Sequence, residues 1–181
     1  MASHIASLIM EAMNAGCCQN FAGPKHTLVD FHRMMTRLVE MEDSQYSYRN
    51  VLAAYTSSGI LAGICVAYDG AKLHQLRRRF YEAALEAFGI DYTGMTDETE
   101  DGEFYIDSLA VSSNFRGKGI ASQLLQATIE RGAELGIPTV GLLVDKGNPK
   151  AEALYQRLGF VYVNDSTWGG HPMRHLQYKQ N

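Results

Sequence analysis

Cysteine is scarce in this chain: there are three in 181 residues, two adjacent (Cys17, Cys18) and the third far off (Cys65). Thiols so placed cannot build a disulfide framework, and they lack the paired spacing of a zinc site. A reducing, cytoplasmic setting is the expectation. Positive charge is in short supply as well. Sixteen Lys and Arg against twenty Asp and Glu leave a net charge of −4, which gives no electrostatic reason to expect nucleic acid or an anionic membrane as partner. No apolar run approaches the roughly 20 residues that cross a bilayer. The most apolar stretch near the start, Ile5 to Met10, has no Lys or Arg before it and is closed by Glu11, so it does not read as a signal peptide. Internal repeats, low-complexity segments and linkers are absent too.

What remains is ordinary globular composition, 46% hydrophobic and 20% charged, in a length that suits one domain over residues 1–181 with a substantial core. Helical spacing of Ile5, Leu8, Ile9, Ala12 and Met13 predicts a helix from Ser3 to Ala15 that stops at Gly16. A loop is expected from Cys17 to His26. Thr27 then caps a helix through about Met41. Two runs of strand formers, Asn50 to Tyr55 and Ile60 to Tyr68, flank a Ser57-Ser58-Gly59 turn and read as a hairpin. From Asp69 to Glu103 the texture changes. Ala71 to Phe88 is helical in pattern, and the six carboxylates between Asp91 and Glu103 have no Lys or Arg among them. The plain reading is a surface helix and a solvated loop; the sharper one is a lid or wall that attracts amines. Further on, Phe104 to Val111 reads as a strand, Ile120 to Leu135 as a helix, and Thr139 to Val144 as a buried strand. Pro149 to Leu158 suits a short helix. Phe160 to Val163 and Arg174 to Lys179 are strand candidates separated by a flexible Trp168-Gly169-Gly170. The class is mixed α/β.

The most informative segment is a strand, a short loop, and Arg116-Gly117-Lys118-Gly119-Ile120-Ala121 leading into a helix. Glycines let backbone N–H groups approach an oxyanion closely, and a helix N-terminus adds partial positive charge. Arg116 and Lys118 add full charges, so a diphosphate suits the device best. As a P-loop it fails, since Gly-x-x-x-x-Gly-Lys-Ser/Thr is missing. As a dinucleotide fingerprint it is partial: Gly117-x-Gly119-x-x-Ser122 is followed by Asp145, but Ser112 to Phe115 separate strand from glycines.

After the next strand comes Asn148-x-x-Ala151-x-x-x-Tyr155-x-x-x-Gly159-Phe160. Together with Leu109-Ala110-Val111 and Arg-x-x-Gly-x-Ala, this resembles the GNAT superfamily of acyl-CoA-dependent N-acetyltransferases over Phe104 to Val163. The resemblance implies an α/β (α+β) fold with a twisted, mostly antiparallel sheet, splayed at the cofactor strands and flanked by helices. It implies acetyl-CoA as co-substrate. The backbone of Leu109, Ala110 and Val111 would pair with the pantetheine arm as an added strand. The amides of Gly117, Lys118, Gly119, Ile120, Ala121 and Ser122, with Arg116 beside them, would cradle the pyrophosphate. Asn148 would hydrogen-bond the arm. Tyr155 matches the general acid for the departing thiolate, a role suited to a phenol protonated at neutral pH.

The base is less directly marked. Relatives place a Glu where this chain has Tyr105, and strand alternation sets Tyr105, Asp107 and Leu109 on one face. Asp107 is therefore the carboxylate candidate, with a structural hydrogen-bond role as its alternative; His171 and His175 stand in reserve. No third ligand joins that pair, so no metal is expected. Relatives open with a strand that Met1 to His4 are too short to supply, and the stretch of about 69–103 reads as an insertion on the acceptor side. Tyr46, Tyr48 and Arg49 are expected in the acceptor pocket. The expected activity is direct acetyl transfer to a primary amine of a small molecule. Transfer to protein amino groups, a non-catalytic acyl-CoA-binding module and a nicotinamide oxidoreductase are the rival readings. A homodimer is compatible with the family, without an exposed apolar element to mark its interface.

Overall fold

The computed structural model describes residues 1–181. Six strands form one sheet: β1 (Val51–Tyr55), β2 (Leu61–Asp69), β3 (Glu103–Val111), β4 (Thr139–Asp145), β5 (Val161–Trp168) and β6 (His171–Lys179), in spatial order β1-β2-β3-β4-β6-β5. Every neighbouring pair is antiparallel except β3 with β4. Four helices precede or interrupt the first strands: α1 (Ala2–Met13), α2 (Ala15–Ala22), α3 (Leu28–Glu40) and α4 (Leu73–Phe88). Two follow, α5 (Ile120–Glu134) and α6 (Pro149–Arg157).

The helices divide between the two faces. Apolar residues of α1 to α4, among them Ile9, Phe31, Leu38 and Phe80, pack on Ile64, Val66 and Ala110. On the other face Leu124, Leu125 and Ile129 of α5 meet Phe104, Ile106, Val140 and Leu142. Local chemistry sets several boundaries. Thr27 and Asp30 cap α3 reciprocally: Thr27 N donates to Asp30 Oδ2 at 2.9 Å, and Asp30 N to Thr27 Oγ1 at 3.3 Å. Such a box satisfies two orphan amides. Pro149 opens α6 where its missing N–H costs nothing.

Three local expectations are corrected. The stop near Gly16 falls instead at Asn14, and the expected loop is α2, because the Asn14 side chain accepts from Cys17 N at 2.9 Å and restarts the helix. Asn14 itself holds φ 68° and ψ 157°, a region that favours glycine. The final two strands run on into Trp168 and back from His171, since Gly169 (φ 55°) and Gly170 (φ 79°) make a two-residue turn that continues the ladder. Finally, α4 is no surface helix. It buries Leu73, Leu76, Arg77, Phe80 and Phe88, and the acidic stretch beyond it turns Glu98 inward against Arg77.

One discontinuity positions the site. Pairing between β3 and β4 ends at Ile106 with Leu142, although β3 runs to Val111 and β4 to Asp145. Beyond that point the strands splay.

Candidate active site

The splay opens a cavity of about 320 Å³, lined from the α1–α2 junction, from β3 and β4 and from α6. Asp107, Leu109, Asn148 and Tyr155 all line it, so the proposed acid, the proposed base and two of the expected cofactor contacts share one space.

Asp107 owes its place to a β-bulge. Val66 pairs with Ser108 and Ala67 with Ile106, leaving Asp107 as the extra residue of β3. A bulge breaks the alternation of side chains. Tyr105 therefore faces Tyr68, Leu73 and Leu76, while Leu109 packs toward the α5 side. The expectation that Tyr105, Asp107 and Leu109 share one face is overturned for that reason. Three donors from different elements hold the carboxylate. Tyr68 Oη and Gln45 Nε2 donate to Oδ2 at 3.0 and 3.2 Å, and Ser108 Oγ donates to Oδ1 at 3.0 Å. Burial raises its pKa from the ordinary carboxylate value, and these donors offset only part of that.

Tyr155 sits on α6, edge-on to the Phe160 ring at 6.0 Å between centroids. Burial, with a smaller contribution from Cys65, pushes its phenol well above the usual tyrosine value, so it stays protonated through the neutral range. Asn148 is the N-cap of α6, with Oδ1 accepting from Ala151 N at 3.2 Å. Its acceptor is engaged in the helix, and its amide is a donor at the cavity wall.

The glycine loop lies just outside this cavity. Gly117 and Gly119 have φ of 75° and 77°, and nothing lies within 4 Å of where either Cβ would stand. The glycines answer the backbone conformation rather than crowding. Gly119 begins α5 with no side chain capping it, so the first-turn amides of Ile120, Ala121 and Ser122 have no partner within the helix. Arg116 lines a second, open cavity of about 530 Å³ beside Ser113, Asn14 and His32. Its Nε donates to Val111 O at 3.0 Å, and its guanidinium pairs with Glu11 of α1 at 3.3 Å. Ala110 directs its side chain to the α1–α4 core, whereas β3 from Asp107 to Val111 lacks a strand partner on its β4 side. Uncapped amides, cations and an unpaired strand edge are the donor set that a diphosphate on an amide-bearing arm requires.

Residues 34–160, well over half of the chain, match the family model described as Acetyltransferase (GNAT) family. The chain belongs to the GNAT acetyltransferase family. A mycothiol acetyltransferase of Propionibacterium freudenreichii subsp. shermanii is 36% identical over 42% of this chain and 24% of its own length. The N-alpha-acetyltransferase MAK3 of Arabidopsis thaliana is 40% identical over 37% of this chain and 35% of its own. This chain thus spans less than two thirds of the length of these curated relatives. A solved structure described as an acetyltransferase is 26% identical, covers 98% of this chain and 94% of its own, and superposes with a TM-score of 0.78.

Within this GNAT fold the rest of the cavity lining comes from residues outside the acetyltransferase motifs. Glu11, Asn14 and Cys17 arrive from the α1–α2 junction, Asp145 from the end of β4, and Trp168, His171 and Met173 from the β5–β6 hairpin. His171 Nδ1 lies 3.7 Å from Asp145 Oδ2. The other reserve histidine is elsewhere: His175 Nε2 contacts Glu103 Oε2 at 2.6 Å in a buried cluster with Gln177 and Thr99. Gly141 makes room for that cluster, because a Cβ there would collide with the Glu103 carboxylate. None of the three residues expected in an acceptor pocket lines the cavity. Tyr46 is buried in the core against Phe80, while Tyr48 is exposed and Arg49 turns outward to Glu42 at 2.8 Å. No group of three or more His, Cys, Asp or Glu side chains is arranged to hold a metal, and no helix is long and apolar enough to cross a membrane.

Proposed function

We propose that this chain transfers the acetyl group of acetyl-CoA directly to the primary amine of a small molecule. The observation that carries the reading is the joint presence of Asp107 and Tyr155 on one cavity in the splay, with the uncapped start of α5 beside it. Acetyl-CoA supplies an acyl group already activated as a thioester. The free side of β3 over Leu109 to Val111 aligns the arm, and Asn148 donates to it. Arg116 and the amides from Gly117 to Ser122 hold the diphosphate, with Lys118 adding charge. Asp107 accepts the proton of the attacking ammonium group, directly or through water. The amine nitrogen then bonds to the carbonyl carbon, Tyr155 gives its proton to the thiolate as the carbon–sulfur bond breaks, and the second proton of the amine nitrogen returns through water to the Tyr155 phenolate. No acyl-enzyme is required: Cys17 lines the cavity, but burial pushes its thiol up to about 12, which leaves almost no thiolate at neutral pH.

The lining also speaks to the acceptor. Glu11, Asp107 and Asp145 put three carboxylates on a cavity of limited size, which favours a compact cationic amine over a bulky or acidic one. The N-alpha-acetyltransferase relative favours a second reading, acetylation of a peptide amine. Thiol release from acetyl-CoA, followed across a panel of polyamines, amino sugars, amino acid amides and short peptides, separates them. Turnover confined to peptides would remove the small-molecule reading. Acetyl-CoA binding without turnover on any amine would leave a binding module.

A further inference from the structure

Glu11 is the one charged side chain that lines both the cavity in the splay and the open cavity beside Arg116. It stands in the last turn of α1, where the helix dipole disfavours an anion, so its charge does not serve the helix. Its one ion pair is with Arg116, whose Nη2 lies 3.3 Å from Glu11 Oε2. Both partners are exposed enough to exchange this contact for another, 47% at the carboxylate and 64% at the guanidinium. Arg116 is tethered on its other side, because its Nε donates to Val111 O at 3.0 Å. The guanidinium therefore stays at the end of β3 while its outer nitrogen is free to change oxygens. Asn14, which also lines both cavities, fixes the turn that follows Glu11. Its side chain accepts from Cys17 N at 2.9 Å while its backbone is held at φ 68°. Such strained residues gather where a site needs them. No Lys or Arg lines the cavity in the splay, so nothing there neutralises Glu11 once Arg116 is drawn away.

We propose that Glu11 couples the two substrates, exchanging Arg116 for the cation of the amine when the diphosphate of acetyl-CoA arrives. This rests on the reading of Arg116 as a diphosphate ligand. In the free protein the carboxylate and the guanidinium cancel each other's charge. A diphosphate presents more negative charge to the guanidinium than Glu11 does, and it takes the contact over. The carboxylate is then left facing a cavity without a cation of its own, and an ammonium group restores the balance. Glu11 thus selects for a charged acceptor, and it competes with the diphosphate until that acceptor binds. The effect is mutual by linkage: bound cofactor tightens the amine, and bound amine tightens the cofactor by the same factor.

Glu11→Gln tells this role from a structural one, because it should move the two substrates in opposite directions. Calorimetry with CoA alone should show binding about two- to five-fold tighter than wild type, the range that an exposed ion pair spans. The acceptor is whichever of the polyamines, amino sugars, amino acid amides and short peptides turns over fastest. Its KM at saturating acetyl-CoA should rise by a similar factor. Both differences should shrink in about 0.5 M salt, whereas a loss of shape would persist. Glu86→Gln removes an equal charge from an exposed pair with Arg37 and should leave both values unchanged. Unchanged or weaker CoA binding in Glu11→Gln, or an acceptor KM that does not rise, would overturn the inference. Arg116→Gln tests the reading beneath it. CoA should weaken about ten-fold, and adding Glu11→Gln should then change its affinity no further. CoA affinity unmoved in Arg116→Gln would overturn the role given to Arg116, and the coupling with it. Turnover on none of these amines would remove the acetyl-transfer reading itself.

Discussion

The two sides of the cavity are built in different ways. The proposed cofactor side is local in sequence: Leu109 to Ser122 and Asn148 to Tyr155 each hold their geometry by short-range rules. These are positive-φ glycines, a helix start and an Asn cap. The proposed acceptor side is assembled from four separated pieces, at Glu11 to Cys17, Tyr105 to Asp107, Leu143 to Asp145 and Trp168 to Met173. Most of those pieces lie tens of residues from one another. A site of the first kind can be read from spacing, while one of the second kind exists only once the sheet order is known.

Substitutions can separate the two sides, and the largest effect belongs where they meet. Tyr155→Phe should lower kcat by about 10²- to 10⁴-fold, the usual worth of a positioned proton donor. Acetyl-CoA affinity, measured by calorimetry, should stay within about two-fold because the ring and its packing on Phe160 are kept. Equal losses in both would mean that Tyr155 serves binding instead of proton transfer. Gly119→Val comes next. A β-branched residue at φ 77° is strained and should displace the loop, weakening acetyl-CoA by ten-fold or more, about 1.4 kcal/mol. Its effect on acceptor KM, at saturating acetyl-CoA, should be small.

On the other side, Asp145→Asn removes a carboxylate from the lining and should raise the acceptor KM a few-fold while sparing acetyl-CoA binding. The same change tested against an uncharged amine should cost nothing, and a loss there would show that the residue shapes the cavity instead of attracting charge. The smallest effect is on stability. Asn14→Gly relieves an unfavourable backbone conformation and forfeits one cap bond, for a net gain of about 1 kcal/mol, or roughly 2–4 °C in Tm. A fall in Tm would mean that the cap outweighs the strain.

Stability against pH probes the segment between β2 and β3. The folded pKa of Glu98, about 7, lies above its ordinary value of 4.5, so between these limits the folded state holds more protons than the unfolded. Stability should therefore decline as pH rises through that window. Thermal melts of Glu98→Gln should show a flatter decline than wild type over the same range.

Much of the frame was legible because its signals are local. The hydrophobic periodicity of α1 and α3, the Thr27 cap and the Pro149 start all appear in the helices as expected. The misses share a cause, which is that a residue's local preference was overruled by a partner elsewhere in the chain. Arg77 looks like a surface cation until Glu98, 21 positions later, folds back on it. Asp107 looks like a regular strand position until β2 pairs around it and leaves it over. Gly16 is a natural helix stop, but a side-chain bond from Asn14 two residues earlier placed the break there instead. The hairpin glycines did carry a readable signal, since adjacent glycines between strand formers suit a two-residue turn.

The interrupted ladder has a mechanical side. Only four residue pairs, Glu103 with Thr139 through Ile106 with Leu142, join the three strands before the gap to the three after it. The sheet is thus two plates sharing a short seam at one end, and α5 lies across that seam through Phe104 and Val140. Beyond the seam no backbone ladder joins the plates, and side-chain packing in the core is what holds them together there. A long ligand laid along the gap would stitch their free margins together, so the protein would be stiffest while loaded and would loosen each time the spent carrier departs.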